Sequence, residues 1–274
     1  MSECFSKKYI INNKTMSCEN FRDNLIHEGK SLYEVIRIID GIPLFLEDHL
    51  ERLFYSAAVT GLNIWLNQED IKASIGELSK INLIENGNVK IVFNFNKNGE
   101  NTFLAYFIKH TYPSEEMYLN GVKTSSYHAE RENPNAKVIN TSLREITNNI
   151  IKEKNVYEVI LIDNDGNVTE GSRSNVFMVE GSKVYTAPKE DVLIGITRKY
   201  VFQACKNLKY EIIERKVGFN NIINVNGIFI CGTSPKVLPI SKVDNIEFDS
   251  NNKIVQDIRR EYNAIVEHYI NSHK

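Results

Sequence analysis

One lysine in the sequence lies in a setting that suits amine chemistry. Lys137 is flanked by Ala136 and Val138 within the segment NPNAKVI. Apolar neighbours reduce the solvation of an ammonium group, which favours the neutral amine that Schiff-base chemistry with a carbonyl compound requires. The same pattern also fits a lysine at the edge of a strand, so the segment alone leaves both interpretations open.

A carboxylate with small polar neighbours occurs in the segment VTEGSRSNVF, residues 168–177. Glu170 stands there in a hairpin-like turn that leads into a strand. A carboxylate opposite a pyridinium nitrogen keeps that nitrogen protonated, so that the ring can accept electrons. An ordinary polar turn between two strands is the alternative interpretation.

Two short segments have the composition of a phosphate-binding site. In LIGITR, Gly195 and Thr197 open a helix, whose first backbone N–H groups and positive dipole end attract anions. In CGTS, Gly232, Thr233 and Ser234 follow a buried strand, and their backbone and hydroxyl groups can donate to a phosphate or a carboxylate. A plain helix start and a plain turn would have the same sequences.

Arg52 lies on a predicted helix in the first part of the chain. The helix is expected to open at Asp48, a good N-cap residue, and to stop at Gly61. The other positions of this helix are mostly apolar, so Arg52 taken alone fits a surface arginine whose stem packs on the core. Before this helix, Asp40-Gly41 predicts a hairpin turn between two strand-like runs.

Strands and helices alternate irregularly along the chain, which predicts an α+β fold in two domains. Two strand-like runs flank a turn at Lys97-Asn98-Gly99, and further strands are expected in VYEVILID, SNVFMV, YEIIERKV and GIFICGT. Helices are expected at about 68–80, 142–153, 197–208 and 219–224, with an amphipathic helix at 253–270. The expected domains are 1–112 and 123–274, joined by a polar connection at 113–122.

The composition is that of an ordinary globular protein. The 274 residues are 42% hydrophobic and 25% charged, with a formal net charge of −2. This charge predicts neither a nucleic-acid nor a membrane partner, and no apolar segment approaches the roughly 20 residues that span a bilayer. The four cysteines are scattered and the six histidines lack metal-ligand spacing, which predicts no metal site, no disulfide framework and a cytoplasmic location.

Taken in order, these segments resemble the class IV aminotransferases, which include branched-chain aminotransferases, D-amino acid aminotransferases and aminodeoxychorismate lyase. The resemblance begins at SLYEVIRIIDGIPLFLEDHLERLFYSA and continues through the lysine segment, TEGSRSNVF, LIGITR and CGTSPKVLPI. These five motifs extend from about residue 31 to about residue 240. The resemblance implies the D-amino acid aminotransferase-like fold, with a small N-terminal domain and a larger C-terminal domain.

The resemblance also implies pyridoxal 5′-phosphate (PLP) as cofactor and a role for particular residues. Lys137 corresponds to the lysine that binds PLP as a Schiff base and later moves the proton between the substrate α-carbon and the cofactor C4′ atom. Glu170 corresponds to the partner of the pyridine nitrogen. The remaining positions correspond to further contacts: Arg52, Ile196, Thr197 and Thr233 to the phosphate, Leu193 to a face of the ring, and Tyr33 and Ser234 to the substrate.

The reaction that the resemblance implies is a ping-pong transamination between an amino acid and a 2-oxo acid, carried out by a homodimer. Phe93, Phe95 and Phe103 favour a branched-chain or other hydrophobic donor if they line the pocket, but strand alternation suits them equally to the core. The alternatives are D-amino acid transamination, elimination from aminodeoxychorismate, a non-catalytic PLP-binding protein, and an α+β protein without a cofactor.

Two regions of the sequence depart from the family pattern. The segment KIVFNFNKNGENTF corresponds to the carboxylate-binding strand of the D-amino acid enzymes but has no arginine or histidine. The arginine and tyrosine that branched-chain enzymes usually carry near that strand are also missing, and Ser142 replaces their aromatic residue. Arg173 stands where many relatives have a small residue. We therefore expect intact catalytic residues and a specificity pocket that matches neither subgroup.

Overall fold

The computed structural model describes residues 3–96, 99–131 and 133–274. The chain forms two compact units. Unit 1 contains Met1–Thr111, Ala136–Ile139 and His268–Lys274, and unit 2 contains Tyr112–Asn135 and Asn140–Glu267. The domain bounds expected from the sequence stay a prediction. The division into units differs from these bounds in two respects. The segment that carries Lys137 pairs with a strand of unit 1 and belongs to it, and His268–Lys274 also belong to unit 1.

Unit 1 is built around an antiparallel sheet of six strands in its described residues. The strands are β1 (Lys8–Ile11), β2 (Lys14–Ser17), β3 (Lys30–Ile39), β4 (Ile42–Pro43), β5 (Gly87–Phe95) and β6 (Thr102–Ile108), and the helices are α1 (Asn24–His27), α2 (Leu46–Thr60) and α3 (Gln68–Asn82). The strand order is β2-β1-β6-β5-β3-β4. The strands β6 and β5 lie at the centre of this sheet. Strand β5 is buried along almost its whole length, whereas buried and half-buried residues alternate along most of β3.

The two faces of this sheet carry different side chains, because successive residues of a strand point to opposite faces. Residues of α2 and α3 pack on the face that carries Leu32, Phe93 and Phe103. Phe93 and Phe103 are cross-strand partners with no exposed surface, so the core interpretation of these two phenylalanines is confirmed. Tyr33 packs with a separate cluster on the opposite face.

Local backbone chemistry sets both ends of the β3–β4 hairpin and of helix α2. Asp40 and Gly41 have φ angles of +51° and +78°, which confirms the predicted turn, and Gly61 ends α2 at φ +66° as predicted. The predicted N-cap at Asp48 is wrong. The helix begins at Leu46 after Phe45, whose φ of +54° turns the chain, so Asp48 lies inside the first helical turn.

Unit 2 is built around a sheet of nine strands among the described residues. The strands are β7 (Val122–His128), β8 (Glu158–Ile162), β9 (Val168–Gly171), β10 (Asn175–Glu180), β11 (Lys183–Thr186), β12 (Glu211–Glu214), β13 (Gly227–Gly232), β14 (Lys236–Val243) and β15 (Ile246–Glu247). The helices are α4 (Glu115–Asn120), α5 (Thr141–Lys154), α6 (Ile196–Leu208) and α7 (Lys253–Ser272), and residues 219–224 form the expected short helix as a 3-10 turn.

The strand order of unit 2 is β12-β11-β10-β13-β14-β7-β8-β9, with β15 beside β14 and β10 also paired to β9. The sheet is mixed: β11–β12, β14–β7 and β7–β8 are parallel pairs, and the other pairs are antiparallel, as an α+β fold allows. Phe177 and Phe229 stack in its centre with ring centroids 5.0 Å apart. The predicted polar connection at 113–122 contains helix α4, and in the predicted turn at 97–99 Lys97 and Asn98 lie outside the described residues.

The prediction that the scattered cysteines form no disulfide is wrong, because a disulfide joins Cys4 to Cys18. The antiparallel pairing of β1 and β2 brings these two residues together, although they are 14 positions apart in the sequence. Their spacing alone does not predict this contact. Cys205 and Cys231 are buried as free thiols. Burial raises the pKa of both thiols, to about 12 for Cys205, so neither is a reactive thiolate near neutral pH.

Helix α2 should be sensitive to truncation of its buried face. Leu53 has no exposed surface, and Leu53→Ala leaves a cavity among the side chains of unit 1, so the free energy of unfolding should fall by about 3 kcal/mol. Chemical denaturation measures this loss. Val59→Ala is the matched control on the same helix, since Val59 is 49% exposed, and it should change stability by less than about 0.5 kcal/mol. Equal losses in both variants would contradict the described packing.

Candidate active site

Lys137 is held by its backbone against the edge of β3. The N–H of Tyr33 donates to the carbonyl of Lys137 at 3.2 Å, and the N–H of Ile139 donates to the carbonyl of Ser31 at 3.0 Å. On the other side, the N–H of Lys137 donates to the hydroxyl of Ser56 in α2 at 3.2 Å. These bonds fix the lysine segment between a strand and a helix of unit 1.

The side chain of Lys137 lies over an aromatic ring. Its Nζ is 4.8 Å from the centroid of Tyr33, within the range of a cation–π contact. Both side chains are half-buried. The structure therefore brings together the predicted Schiff-base lysine and the predicted substrate residue Tyr33, and it gives the amine a partly desolvated position.

Arg52, the predicted phosphate-binding arginine, makes a two-pronged ion pair with Glu34 of β3. Arg52 Nε and Nη2 donate to the two carboxylate oxygens of Glu34 at 2.7 and 2.6 Å. His49, one helical turn earlier, places its Nδ1 2.8 Å from the same carboxylate. Glu34 and His49 were not predicted as site residues, although their positions give a signal. His49 and Arg52 share one helix face, and strand alternation points Glu34 away from Tyr33 toward that face.

The charge states of this buried cluster follow from its contacts. Burial alone would raise the pKa of Glu34, but the Arg52 guanidinium and the hydrogen bonds from His49 and Arg52 outweigh it and lower the pKa to about 2. Burial is also the main cause that lowers the pKa of His49, against the opposing effect of Glu34. At neutral pH the cluster is therefore a carboxylate, a guanidinium and a neutral imidazole that donates through Nδ1.

Glu170, the predicted partner of a ring nitrogen, lies at the end of β9 in unit 2 and is buried. Arg131 Nε lies 2.6 Å from one carboxylate oxygen, and the N–H of Leu193 donates to the other at 3.2 Å. Arg131 also donates through Nη2 to the carbonyl of Ser172 at 3.1 Å. Arg131 was not singled out from the sequence, because it precedes Glu170 by 39 residues and no local pattern links the two.

A second buried carboxylate shapes the turn after Glu170. Glu158 accepts hydrogen bonds from the hydroxyls of Ser172 and Ser174, at 2.6 and 3.0 Å, and from the N–H of Arg173 at 3.2 Å. A Cβ on Gly171 would lie 2.1 Å from the Ser174 hydroxyl oxygen, so this position requires glycine. The side chain of Arg173 donates to Asn148 of helix α5.

The predicted phosphate segment forms the start of helix α6. Gly195 is the N-cap and makes no side-chain cap hydrogen bond, the first turn contains no acidic residue, and Ile196 and Thr197 are buried. Asn175 of β10 donates through Nδ2 to the carbonyl of Leu193 at 2.8 Å. A Cβ on Gly195 would lie 2.1 Å from Asn175 Oδ1, so the glycine allows the close approach of this loop to β10.

The second predicted phosphate segment is a turn between strands. Thr233 and Ser234 lie in the hairpin that joins β13 to β14, and both are half-buried. The structure thus places Glu170, Leu193, Ile196, Thr197, Thr233 and Ser234 in unit 2, and it places Tyr33, Arg52 and Lys137 in unit 1.

A cavity of about 630 Å³ in unit 2 is lined by Arg131, Glu170 and nine further residues. Within residues 3–96, 99–131 and 133–274, no group of three His, Cys, Asp or Glu side chains is arranged to hold a metal ion. The same residues contain no helix that is long and apolar enough to cross a membrane.

Comparison with known proteins shows which family has this sequence and fold. Residues 31–243 match the family model of amino-transferase class IV. D-alanine aminotransferase of Bacillus licheniformis is 31% identical over 231 residues, which cover 79% of this chain and 80% of that protein. A putative branched-chain-amino-acid aminotransferase of Methanocaldococcus jannaschii is 24% identical over 263 residues, 92% of this chain and 90% of that protein.

A solved structure has the same fold. Branched-chain aminotransferase from the thermophilic archaeon Thermoproteus uzoniensis, solved with norvaline, superposes with a TM-score of 0.84 at 23% identity, over 96% of this chain and 95% of that chain. The expected α+β fold of this family is therefore confirmed.

The ionised Glu34 should make stability depend on pH. Its pKa is lower in the folded chain, at about 2, than its ordinary value of 4.5, so its contribution is present above pH 4.5 and is lost as pH falls toward 2. At pH 7, Glu34→Gln should lower the free energy of unfolding by about 3 kcal/mol. Urea unfolding at pH 7, 4 and 3 measures the difference from the parent protein, which should shrink with pH.

The control is Glu51→Gln, at an exposed position of helix α2 next to Arg52, which should behave like the parent protein at every pH. A loss from Glu34→Gln that stays the same at pH 7 and pH 3 would show that the carboxylate charge does not stabilise the fold.

Proposed function

The chain belongs to the class IV aminotransferase family, and on that premise we propose that it is a PLP-dependent transaminase that moves an amino group between an amino acid and a 2-oxo acid. One observation carries this proposal. The matched region contains both a partly desolvated lysine amine, Lys137 over Tyr33, and a buried carboxylate held by an arginine, Glu170 with Arg131. A protein that only stores PLP needs a phosphate site but neither of these groups.

The start of helix α6 fits the phosphate of PLP. Gly195 brings no side chain into the loop, and the helix presents its first N–H groups and its positive dipole end without an acidic side chain to compete. We assign the phosphate contacts to Ile196, Thr197, Thr233 and Arg52. Glu34 holds the Arg52 guanidinium in one orientation, which preorganises it for an anion.

Lys137 would bind the cofactor covalently through Nζ, and Glu170 would receive a hydrogen bond from its ring nitrogen. When bound, PLP supplies a ring that accepts the electrons released at the substrate α-carbon. Arg131 keeps the Glu170 carboxylate charged and in place, and a charged Glu170 keeps the ring nitrogen protonated. Leu193, whose N–H is bound to Glu170, would pack on a face of the ring.

Lys137 also carries the proton transfer in this proposal. With PLP and an amino donor bound, the free amine of Lys137 would act as the base that takes the proton from the substrate α-carbon and as the acid that gives it to the C4′ atom of the cofactor. Tyr33, 4.8 Å from this amine, limits its solvation and lines the substrate side, and Ser234 would bind the substrate carboxylate. The second half-reaction returns the amino group to a 2-oxo acid by the same steps in reverse.

Two classes of amino donor are candidates, and a different observation favours each of them. Family members from Methanocaldococcus jannaschii and Thermoproteus uzoniensis carry branched-chain names, which supports our expectation of a branched-chain or other hydrophobic donor. The 31% identity to D-alanine aminotransferase supports a D-amino acid donor instead. The burial of Phe93 and Phe103 in the core removes the argument for a hydrophobic donor that rested on these two residues.

A spectral titration separates these candidates and tests the proposed function. The purified protein is loaded with PLP, and its visible spectrum is recorded while single L- and D-amino acids, aliphatic and acidic, are added. Conversion of the cofactor to its amino form with release of the matching 2-oxo acid establishes transamination and the donor together. A spectrum that no amino acid changes contradicts it, and aminodeoxychorismate then tests the lyase alternative.

We further propose a homodimer, and the cytoplasmic location stays an expectation from the sequence. The dimer follows from the family resemblance, and light scattering coupled to size exclusion measures it directly. The Cys4–Cys18 disulfide removes the argument for the cytoplasm that rested on scattered cysteines. Fractionation of the source cells, with detection by antibody, tests the location.

Replacement of Lys137 should abolish both covalent cofactor binding and turnover. Lys137→Ala removes the amine that binds PLP and moves the proton, so transaminase activity should fall by at least about 10⁴-fold. A second readout does not depend on activity: after borohydride reduction, mass spectrometry should find the cofactor on the Lys137 peptide of the parent protein only. Lys152→Ala, at an exposed position of α5, is the control. Reduced cofactor on a different lysine would refute the assignment.

Gly195 should be required for cofactor affinity rather than for folding. The added Cβ of Gly195→Ala meets Asn175 Oδ1 and displaces the loop before α6, so the dissociation constant of PLP should rise about tenfold. Titration of the cofactor-free protein measures it. Gly76→Ala is the control in helix α3, where a Cβ meets nothing within 4 Å, and it should leave PLP affinity unchanged. Equal PLP affinity in both variants would place the phosphate elsewhere.

A further inference from the structure

The N-cap residue of helix α2 cannot cap the helix. This residue is Phe45, whose apolar side chain has no group that accepts a hydrogen bond. The first N–H groups of a helix have no partner within the helix, so its first turn is held poorly unless another group accepts from them. The start of α2 matters for the lysine site because His49 and Arg52, which both bind Glu34, lie in its first two turns.

Tyr269 of helix α7 supplies the missing cap. Its hydroxyl oxygen accepts a hydrogen bond from the N–H of Leu46, the first residue of α2, at 3.3 Å. The same hydroxyl donates to Glu47 Oε2 at 2.8 Å, so it acts both as acceptor and as donor to the first turn. A serine or aspartate at the N-cap also accepts from this turn, but here the acceptor is 223 positions from Leu46 in the sequence.

The ring of Tyr269 is held between two other rings. Its centroid lies 4.9 Å from that of Phe45, which is buried, and 3.9 Å from that of His273, whose ring is stacked on it. His273 Nδ1 also lies 2.7 Å from the carbonyl oxygen of Tyr269. These residues all belong to unit 1, which includes residues 268–274. The hydroxyl of Tyr269 is therefore oriented toward the start of α2 by its own surroundings.

We propose that Tyr269 is a positioning residue for the cofactor phosphate, because its hydroxyl fixes the first turn of α2. Without this hydroxyl, residues 46–49 are held less firmly, and His49 loses part of its fixed orientation toward Glu34. Glu34 also binds Arg52, so the guanidinium is oriented less firmly as well. The role of Arg52 at the phosphate rests on the proposed function, whereas the capping of α2 does not.

Paired titrations of the cofactor-free protein with PLP and with pyridoxal test this role. Tyr269→Phe keeps the ring on Phe45 and removes only the hydroxyl. The dissociation constant of PLP should rise about fivefold, which corresponds to the loss of one helix cap. Pyridoxal has the same ring and aldehyde but no phosphate, so its dissociation constant should not change. A purely structural loosening of unit 1 would weaken the binding of both compounds alike.

The matched control is Tyr55→Phe, the same substitution at a position of α2 that is 48% exposed. It should match the parent protein with both compounds. Hydrogen exchange followed by mass spectrometry gives a second readout that does not depend on the cofactor. In Tyr269→Phe the amides of residues 46–49 should exchange faster, and those of helix α3 should keep the rate of the parent protein.

The outcomes separate this inference from the proposed function. In a protein that transaminates, the inference alone is overturned if Tyr269→Phe leaves PLP affinity unchanged, weakens PLP and pyridoxal equally, or leaves exchange at residues 46–49 unchanged. A selective loss of PLP affinity in a protein that transfers no amino group overturns only the proposed function. A parent protein that binds no PLP overturns both.

Discussion

The buried ion pair between Glu34 and Arg52 is the interaction on which the lysine site depends. It joins β3 to α2 in the interior of unit 1, where the burial of two charges is tolerated only because each satisfies the other. The Lys137 segment is bound to the same two elements, through Tyr33 in β3 and Ser56 in α2. The distance between β3 and α2 therefore sets the position of the Lys137 backbone. A change in the ion pair that moved β3 relative to α2 would also move the Lys137 amine.

In unit 2, two buried carboxylates position loops by binding their backbone and side-chain groups. Glu158 accepts hydrogen bonds from the turn that follows Gly171, and Glu170 is held between Arg131 and the backbone of Leu193. Such loops are irregular, so their polar groups need partners other than a strand neighbour. The two carboxylates supply these partners, and they give the start of α6 and the end of β9 a fixed geometry.

The sequence predicted turns and helix ends that depend on a few consecutive residues, but it did not predict contacts between residues that lie far apart in the chain. Asp40-Gly41 and Gly61 were predictable because a positive φ angle is a property of a few residues and of their immediate turn. The start of α2 was not, since Phe45 adopts its left-handed conformation where its ring packs on Tyr269. The family motifs identified the fold, and the role that they imply for Lys137 stays a prediction. The contacts of Arg131 with Glu170 and of Cys18 with Cys4 could not be predicted, because only the folded chain brings these distant residues together.

The assignment of the Lys137 segment to unit 1 has a consequence for synthesis on the ribosome. Unit 1 receives its first 111 residues early, but the part of the β3 edge that lies beyond its short pairing with β4 has no partner until residues 136–139 emerge. Residues 268–274 complete the unit after all of unit 2. At typical elongation rates, roughly ten to thirty seconds separate residue 111 from residue 274. The unpaired edge lasts for the first part of that interval, roughly one to six seconds until residue 139 is made. An unpaired strand edge is the kind of surface from which aggregation begins.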